Sequence, residues 1–131
     1  MAHPNKTKGN TLEQKVAKDL RQFYPFAKTT RMTSKLLDDC KIDVSGVPLL
    51  IQCKAGYNNV RVRYDRLYLE NRELILQNYP KNHVIHKLPY VLINKLNGTK
   101  GKTEPELFQV TMTYDLFLEL IQHYNPDDII Q

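Results

Sequence analysis

Two carboxylates, an amide and an ammonium stand where the apolar pattern of this chain would otherwise place buried residues. Glu13 falls inside the arc of Leu12, Val16, Ala17 and Leu20 on a helix that turns about 100° per residue. A carboxylate on that inward face costs desolvation energy unless a cation or hydrogen-bond donors stand beside it. A plainer task is open to it as well, as the partner of Asn10 in a capping box. Asp43 lies between Ile42 and Val44, and alternation along a strand turns it to the opposite face from both. Asp is depleted in strands, so the position asks for a reason; the plain one is a solvent-facing place in a hairpin. In Leu49-Leu50-Ile51-Gln52-Cys53-Lys54 the adjacent apolar residues suggest a strand covered on both faces. Gln52 and Lys54 then share one face at its end. An amide and an ammonium there make a site for polar chemistry, with a solvated terminal Lys as the simpler alternative.

Such a site needs a helix and a hairpin to position it, and the chain supplies both within an α/β pattern. Residues 1–9 are polar and basic and are expected to form a flexible N-terminus. Apolar spacing predicts a helix over 11–23, opened by Thr11 with Gln14 or by Asn10 with Glu13 and ended by Pro25. Strands are predicted over 28–33, 42–45 and 49–54, the last two joined by Gly46, Val47 and Pro48 in a tight hairpin. Val60, Val62 and Tyr64 alternate with Arg61 and Arg63, which suggests an extended basic segment. A helix over 70–77, a loop over 78–87, a strand over 90–94, a turn over 97–105 and a strand over 107–112 follow. The last helix, 114–124, is expected to bury Leu116, Phe117, Leu120 and Ile121. The order is helix, three strands, helix, two strands, helix, in a single domain spanning 1–131.

Size and charge narrow the classes. A chain of 131 residues holds one core and is too short for two ordinary domains. Its longest apolar run, 47–51, contains Pro48 and cannot cross a bilayer, so no membrane partner is expected. No charged-then-apolar leader opens it, so the expected compartment is the cytoplasm, the host's in the case of a phage-encoded chain. Cys40 and Cys53 are too few for a disulfide framework and wrongly spaced for a zinc site. A formal charge of +5 suits a polyanionic partner. His83 and His86 lie in a loop without other ligands and are not expected to hold a metal.

Taken in order, Gly9 to Glu13, Ile42-Asp43-Val44, a short hairpin and Ile51-Gln52-Cys53-Lys54 resemble the PD-(D/E)XK nuclease superfamily. Within it they are most like the small Holliday junction resolvases of archaea and their phage relatives. Those begin with a helix carrying an inward Glu shortly after a Gly, then a strand reading apolar-Asp-apolar, then one reading apolar-Glu-x-Lys. Glu13 matches the helix Glu, Asp43 the strand Asp, Lys54 the motif Lys and Arg31 a basic position after the helix. Tyr68-Leu69, a helix and Leu88-Pro89-Tyr90-Val91 follow the same order, so the resemblance covers about residues 5–112. Gln52 replaces the usual Glu, a Gln-x-Lys form similar to that of Mrr-type restriction enzymes, and removes one negative charge. The hairpin between Asp43 and Gln52 is also shorter than usual.

The resemblance implies a restriction-endonuclease-like fold, a central mixed β-sheet flanked by helices. It implies a DNA endonuclease that hydrolyses phosphodiester bonds with Mg²⁺ (or Mn²⁺), leaves a 5′-phosphate and needs no small-molecule cofactor. A homodimer acting on branched DNA in recombination and repair is the expected form. Hard cations of this kind take oxygen ligands and supply Lewis acidity at the phosphate. Asp43 would be the main ligand, with Asp39 as a fallback, Gln52 and the Cys53 backbone carbonyl adding oxygens. Glu13 would bind a second ion or a metal-bound water, and Lys54 would orient or help deprotonate the attacking water. Arg31, Lys35, Arg61, Arg63 and Arg66 are candidates for phosphate contacts, or else solvated surface charges. Tyr57, Tyr64, Tyr68 and Tyr90 are open to base stacking or to half-buried places in the core. Two other functions remain open: a Mrr-like restriction or repair nuclease on duplex DNA, for whose recognition domain 131 residues leave no room, and a non-catalytic DNA-binding module.

Overall fold

A computed structural model describes residues 4–57, 62–96, 107–127 and 129–130. The first helix, α1 (Pro4–Leu20), starts a full turn and more before its apolar stripe begins. Pro4 suits a first helical turn because its φ is already helical and its missing N–H would have no partner there. Residues 4–9 are therefore helical rather than a frayed arm, and Asn10 and Thr11 lie inside the helix, where neither can cap it. The helix also stops earlier than predicted. Phe23 is 72% exposed and gains no burial by staying helical, and the chain leaves through hydrogen-bonded turns from Arg21 to Tyr24.

The sheet has five strands in the order β1-β2-β3-β4-β5. These are β1 (Lys28–Thr29), β2 (Val44–Ser45), β3 (Leu50–Tyr57), β4 (Tyr90–Leu96) and β5 (Leu107–Thr111). Neighbours pair antiparallel except β3 and β4, which are parallel. The parallel pair requires a crossover, and α4 (Tyr64–Asn78) provides it, followed by a 3₁₀ turn over Val84–Lys87. The predicted strand over 28–33 is corrected. After Thr29 the chain turns into two short helices, α2 (Thr30–Thr33) and α3 (Lys35–Asp39), the second capped by the Ser34 hydroxyl. The helix predicted over 70–77 begins at Tyr64, so Val62 and Arg63 lead directly into it. Val60, Arg61, the turn over 97–105 and the Tyr57 side chain lie outside the described residues.

Alternation along β3 and β4 divides the core between the two faces of the sheet. On one face Leu12, Val16 and Ala17 of α1 pack with Val44, Ile51, Cys53 and Val91, joined by Leu116 of the last helix, α5 (Tyr114–Ile121). On the other face Ile42, Leu50, Tyr90 and Leu92 pack with Cys40 and with Ile75 of α4. The architecture is thus α/β, a mixed sheet with helices on both faces. One expected core element differs. Leu116 is buried, but Phe117, Leu120 and Ile121 are each more than two-fifths exposed among the described residues.

Candidate active site

Asp43 is positioned by backbone geometry on both sides of it. Helix α3 ends in a Schellman turn: Ile42 N–H donates to Leu37 O at 3.0 Å and Lys41 N–H to Asp38 O at 3.0 Å. Lys41 takes the left-handed position of that motif, at φ 66°, where glycine is usual. The buried Thr30 then clamps the next two residues. Its hydroxyl donates to Ile42 O at 2.7 Å and its N–H to Asp43 O at 3.0 Å. Asp43 N–H donates to Ile51 O at 2.7 Å, which ties the residue to β3.

The Asp43 side chain is buried, and its Oδ2 accepts the Cys53 backbone N–H at 2.7 Å. Oδ1 accepts no hydrogen bond among the described residues. Burial pushes this carboxyl up to about 7, with Glu13 and Asp38 pushing the same way, while the Cys53 N–H and Arg31 pull it down. A buried carboxylate with one donor and two acidic neighbours favours a cation at its free oxygen. Glu13, from α1, is also buried, and both its oxygens are occupied. Arg31 Nε donates to Oε2 at 2.7 Å and Nη2 to Oε1 at 3.0 Å. Glu13 therefore has a partner other than Asn10, and its inward orientation on α1 is explained by Arg31.

Gln52 is buried on the α4 face, where Tyr90 OH donates to its Oε1 at 2.5 Å. Tyr90 sits in turn against Tyr64 and Tyr68, with ring centroids 5.5 and 5.8 Å away, and burial pushes its phenol up. These three tyrosines are core and half-buried residues, not free stacking platforms. Lys54 lies two residues beyond Gln52 on the same face, half-buried, beside Asn94 of β4 in the strand register. It makes no ion pair with Asp43. Cys53 meets Asp43 through its N–H, and burial together with the nearby carboxylates pushes its thiol up, which makes it a poor nucleophile.

The remaining candidates are dispersed. Asp39 is exposed on α3 and pairs with Lys35 at 3.1 Å, so it does not stand in for Asp43. Arg63 pairs with Asp65 at 2.8 Å at the start of α4, and Arg66 is exposed one residue on. His83 Nδ1 accepts the Ile85 N–H and His86 bonds Pro80 O, which are structural tasks in the loop before β4. Sequence reading missed Thr30 and the Tyr90 phenol. A buried tyrosine in an apolar strand needs a partner for its hydroxyl, and that was the available signal.

Among the described residues no three His, Cys, Asp or Glu side chains gather as a metal cage. A Mg²⁺-type ion needs only one or two carboxylates and keeps several waters. Asp43 fits that requirement, Gln52 contributes only through an oxygen already bonded to Tyr90, and Glu13 does not fit while Arg31 holds it. Compared with family models, curated proteins and solved structures, the chain matches none.

Proposed function

We propose that the chain is a divalent-metal-dependent DNA endonuclease with a restriction-endonuclease-like fold, acting on branched DNA. The observation that carries this reading is the buried Asp43 carboxylate. Glu13 of α1 and Arg31 of α2 stand close enough to act on it electrostatically, and Cys53 in the middle of β3 donates its N–H to it. The order of helix, antiparallel meander, crossover helix and parallel strand is compatible with it.

In this reading Asp43 would hold Mg²⁺ or Mn²⁺, which would supply Lewis acidity at the scissile phosphate. The Cys53 N–H keeps the carboxylate from rotating. Lys54 orients the attacking water and offsets charge on the phosphate. Arg31 and Arg66 add phosphate contacts that position a duplex without reading its sequence.

A homodimer would place two such centres on opposite strands of a four-way junction. The exposed Phe117, Leu120 and Ile121 of α5 are the surface for it. Strand β4 is paired on both sides and offers no such surface. No described helix is long and apolar enough to cross a membrane.

A second reading has a specific observation behind it. With Glu13 bonded to Arg31 and Gln52 to Tyr90, the chain could bind DNA without cutting it. Incubation of a labelled four-way junction and an equal-length linear duplex with Mg²⁺ or Mn²⁺ separates the two. Cuts confined to the branched substrate support the nuclease proposed here, and binding without cuts in either metal supports the module.

A further inference from the structure

We infer that Arg31 takes the place of a second metal ion, so that the site binds one divalent cation, on Asp43, and Glu13 is a positioning residue rather than a ligand. The inference rests on the nuclease reading and refines it. Its basis is the geometry of the pair. The planar guanidinium meets both oxygens of a nearly inaccessible carboxylate, at 2.7 and 3.0 Å, with Glu13 3% and Arg31 36% exposed. This fork-on-fork arrangement satisfies the carboxylate in its own plane. A divalent ion on Glu13 would have to displace a cation already seated there.

The pair is also held in place. Leu12 and Val16, around Glu13 on α1, are buried in the core, and the buried Thr30 next to Arg31 is bonded to both Ile42 and Asp43. The hydrogen-bonded Glu13 carboxylate above all, and the nearby Asp38 and Asp43 carboxylates less, strengthen the hold of Arg31 on its proton. A permanent positive charge therefore already stands among these carboxylates. Two of the five guanidinium N–H groups are spent on Glu13. Among the described residues no further hydrogen bond is made by the guanidinium, and the Arg31 side chain is 36% exposed, so the others can meet a substrate phosphate oxygen. Glu13 would thus fix the angle of an arginine that supplies the charge a second ion would otherwise bring.

Counting bound Mn²⁺ tests this without any cleavage. Electron paramagnetic resonance of free Mn²⁺ and titration calorimetry should give one ion per chain for the natural protein and none for Asp43→Asn. Glu13→Gln, which keeps the shape of the buried side chain, should still bind one ion with an affinity within threefold. Arg31→Ala frees Glu13 and should bind a second ion, or the first at least tenfold more tightly. Two ions per natural chain would overturn the inference and leave the nuclease reading standing, and that count needs no variant to fold. A tenfold or greater loss of Mn²⁺ affinity in folded Glu13→Gln would overturn it in the same way. No Mn²⁺ bound by the natural protein would remove the nuclease reading and this inference together.

Discussion

The Cys53 backbone N–H donates to the Asp43 carboxylate at 2.7 Å, across the hairpin that joins the two residues. This bond replaces an ordinary strand-to-strand contact with one from main chain to carboxylate, and it ties the acidic residue to the strand that carries Gln52 and Lys54. One donor is a modest return for burying a charge. The imbalance has measurable consequences.

The first concerns pH. Asp43 is raised to about 7 in the folded protein, by burial above all, against 3.8 for a free Asp side chain. The folded state therefore binds the proton more tightly than the unfolded state. The resulting stabilisation is complete below pH 3.8 and is lost as pH rises through about 7. Its full size is about 4 kcal/mol at one unit per 1.36 kcal/mol. Urea unfolding of metal-free protein should show Asp43→Asn gaining on the natural chain between pH 5 and 8 by about 2 kcal/mol or more. Parallel pH profiles for the two proteins would contradict the assignment.

A bound ion competes with the same proton. Mn²⁺ affinity should fall by about tenfold per pH unit below pH 7, with proton release on binding. Titration calorimetry in buffers of different ionisation enthalpy reads that release directly. An affinity flat from pH 5.5 to 7.5 would place the ion elsewhere.

Lys54 carries the chemical step in this account. Lys54→Ala should lower the cleavage rate by about a hundredfold or more, as expected for loss of a positioned catalytic group, and leave DNA affinity within about threefold. Single-turnover kinetics with a parallel binding assay separate the two effects. Cleavage at the natural rate would break the motif.

Gln52 and Tyr90 act as a unit. Gln52→Glu keeps an oxygen for the phenol and adds charge, so cleavage should persist and saturate at lower Mg²⁺. Tyr90→Phe removes the donor from a buried amide oxygen and should destabilise the fold by about 1–3 kcal/mol. A folded but inactive Gln52→Glu variant would show that position 52 has to offer an amide N–H.

Legibility in the sequence followed interaction range. The inward Glu13 could be read from the helical spacing around it, but the strand alternation expected around Asp43 does not hold: Ile42 and Asp43 precede β2, and Ile42 packs on the α4 face while Val44 packs on the α1 face. The hairpin could be read from Gly46, whose positive φ suits the turn and where an added Cβ would come within 2.3 Å of Phe26 O. What filled the sites could not be read. Arg31 reaches Glu13 across 18 residues and Tyr90 reaches Gln52 across 38, distances over which periodicity says nothing. Polarity also misled at two ends. Residues 4–9 fold into α1 despite their composition, and of the apolar stripe of α5 only Leu116 is buried.

The turn before Asp43 offers a test of positioning alone. Lys41→Gly relieves the left-handed backbone at φ 66° and should stabilise the protein by about 1 kcal/mol. Metal affinity should stay unchanged. A loss of stability would mean that the Lys41 side chain has contacts that matter more than its backbone.

The central claim is that Asp43 anchors a metal-dependent cut in branched DNA. Its most direct test is a single-turnover assay on a labelled four-way junction, with Mg²⁺, with EDTA, and with Asp43→Asn in Mg²⁺. The account predicts cleavage in the first only, by a protein that binds the junction in all three. Cleavage that survives EDTA or Asp43→Asn, or binding with no cleavage in either Mg²⁺ or Mn²⁺, would contradict it.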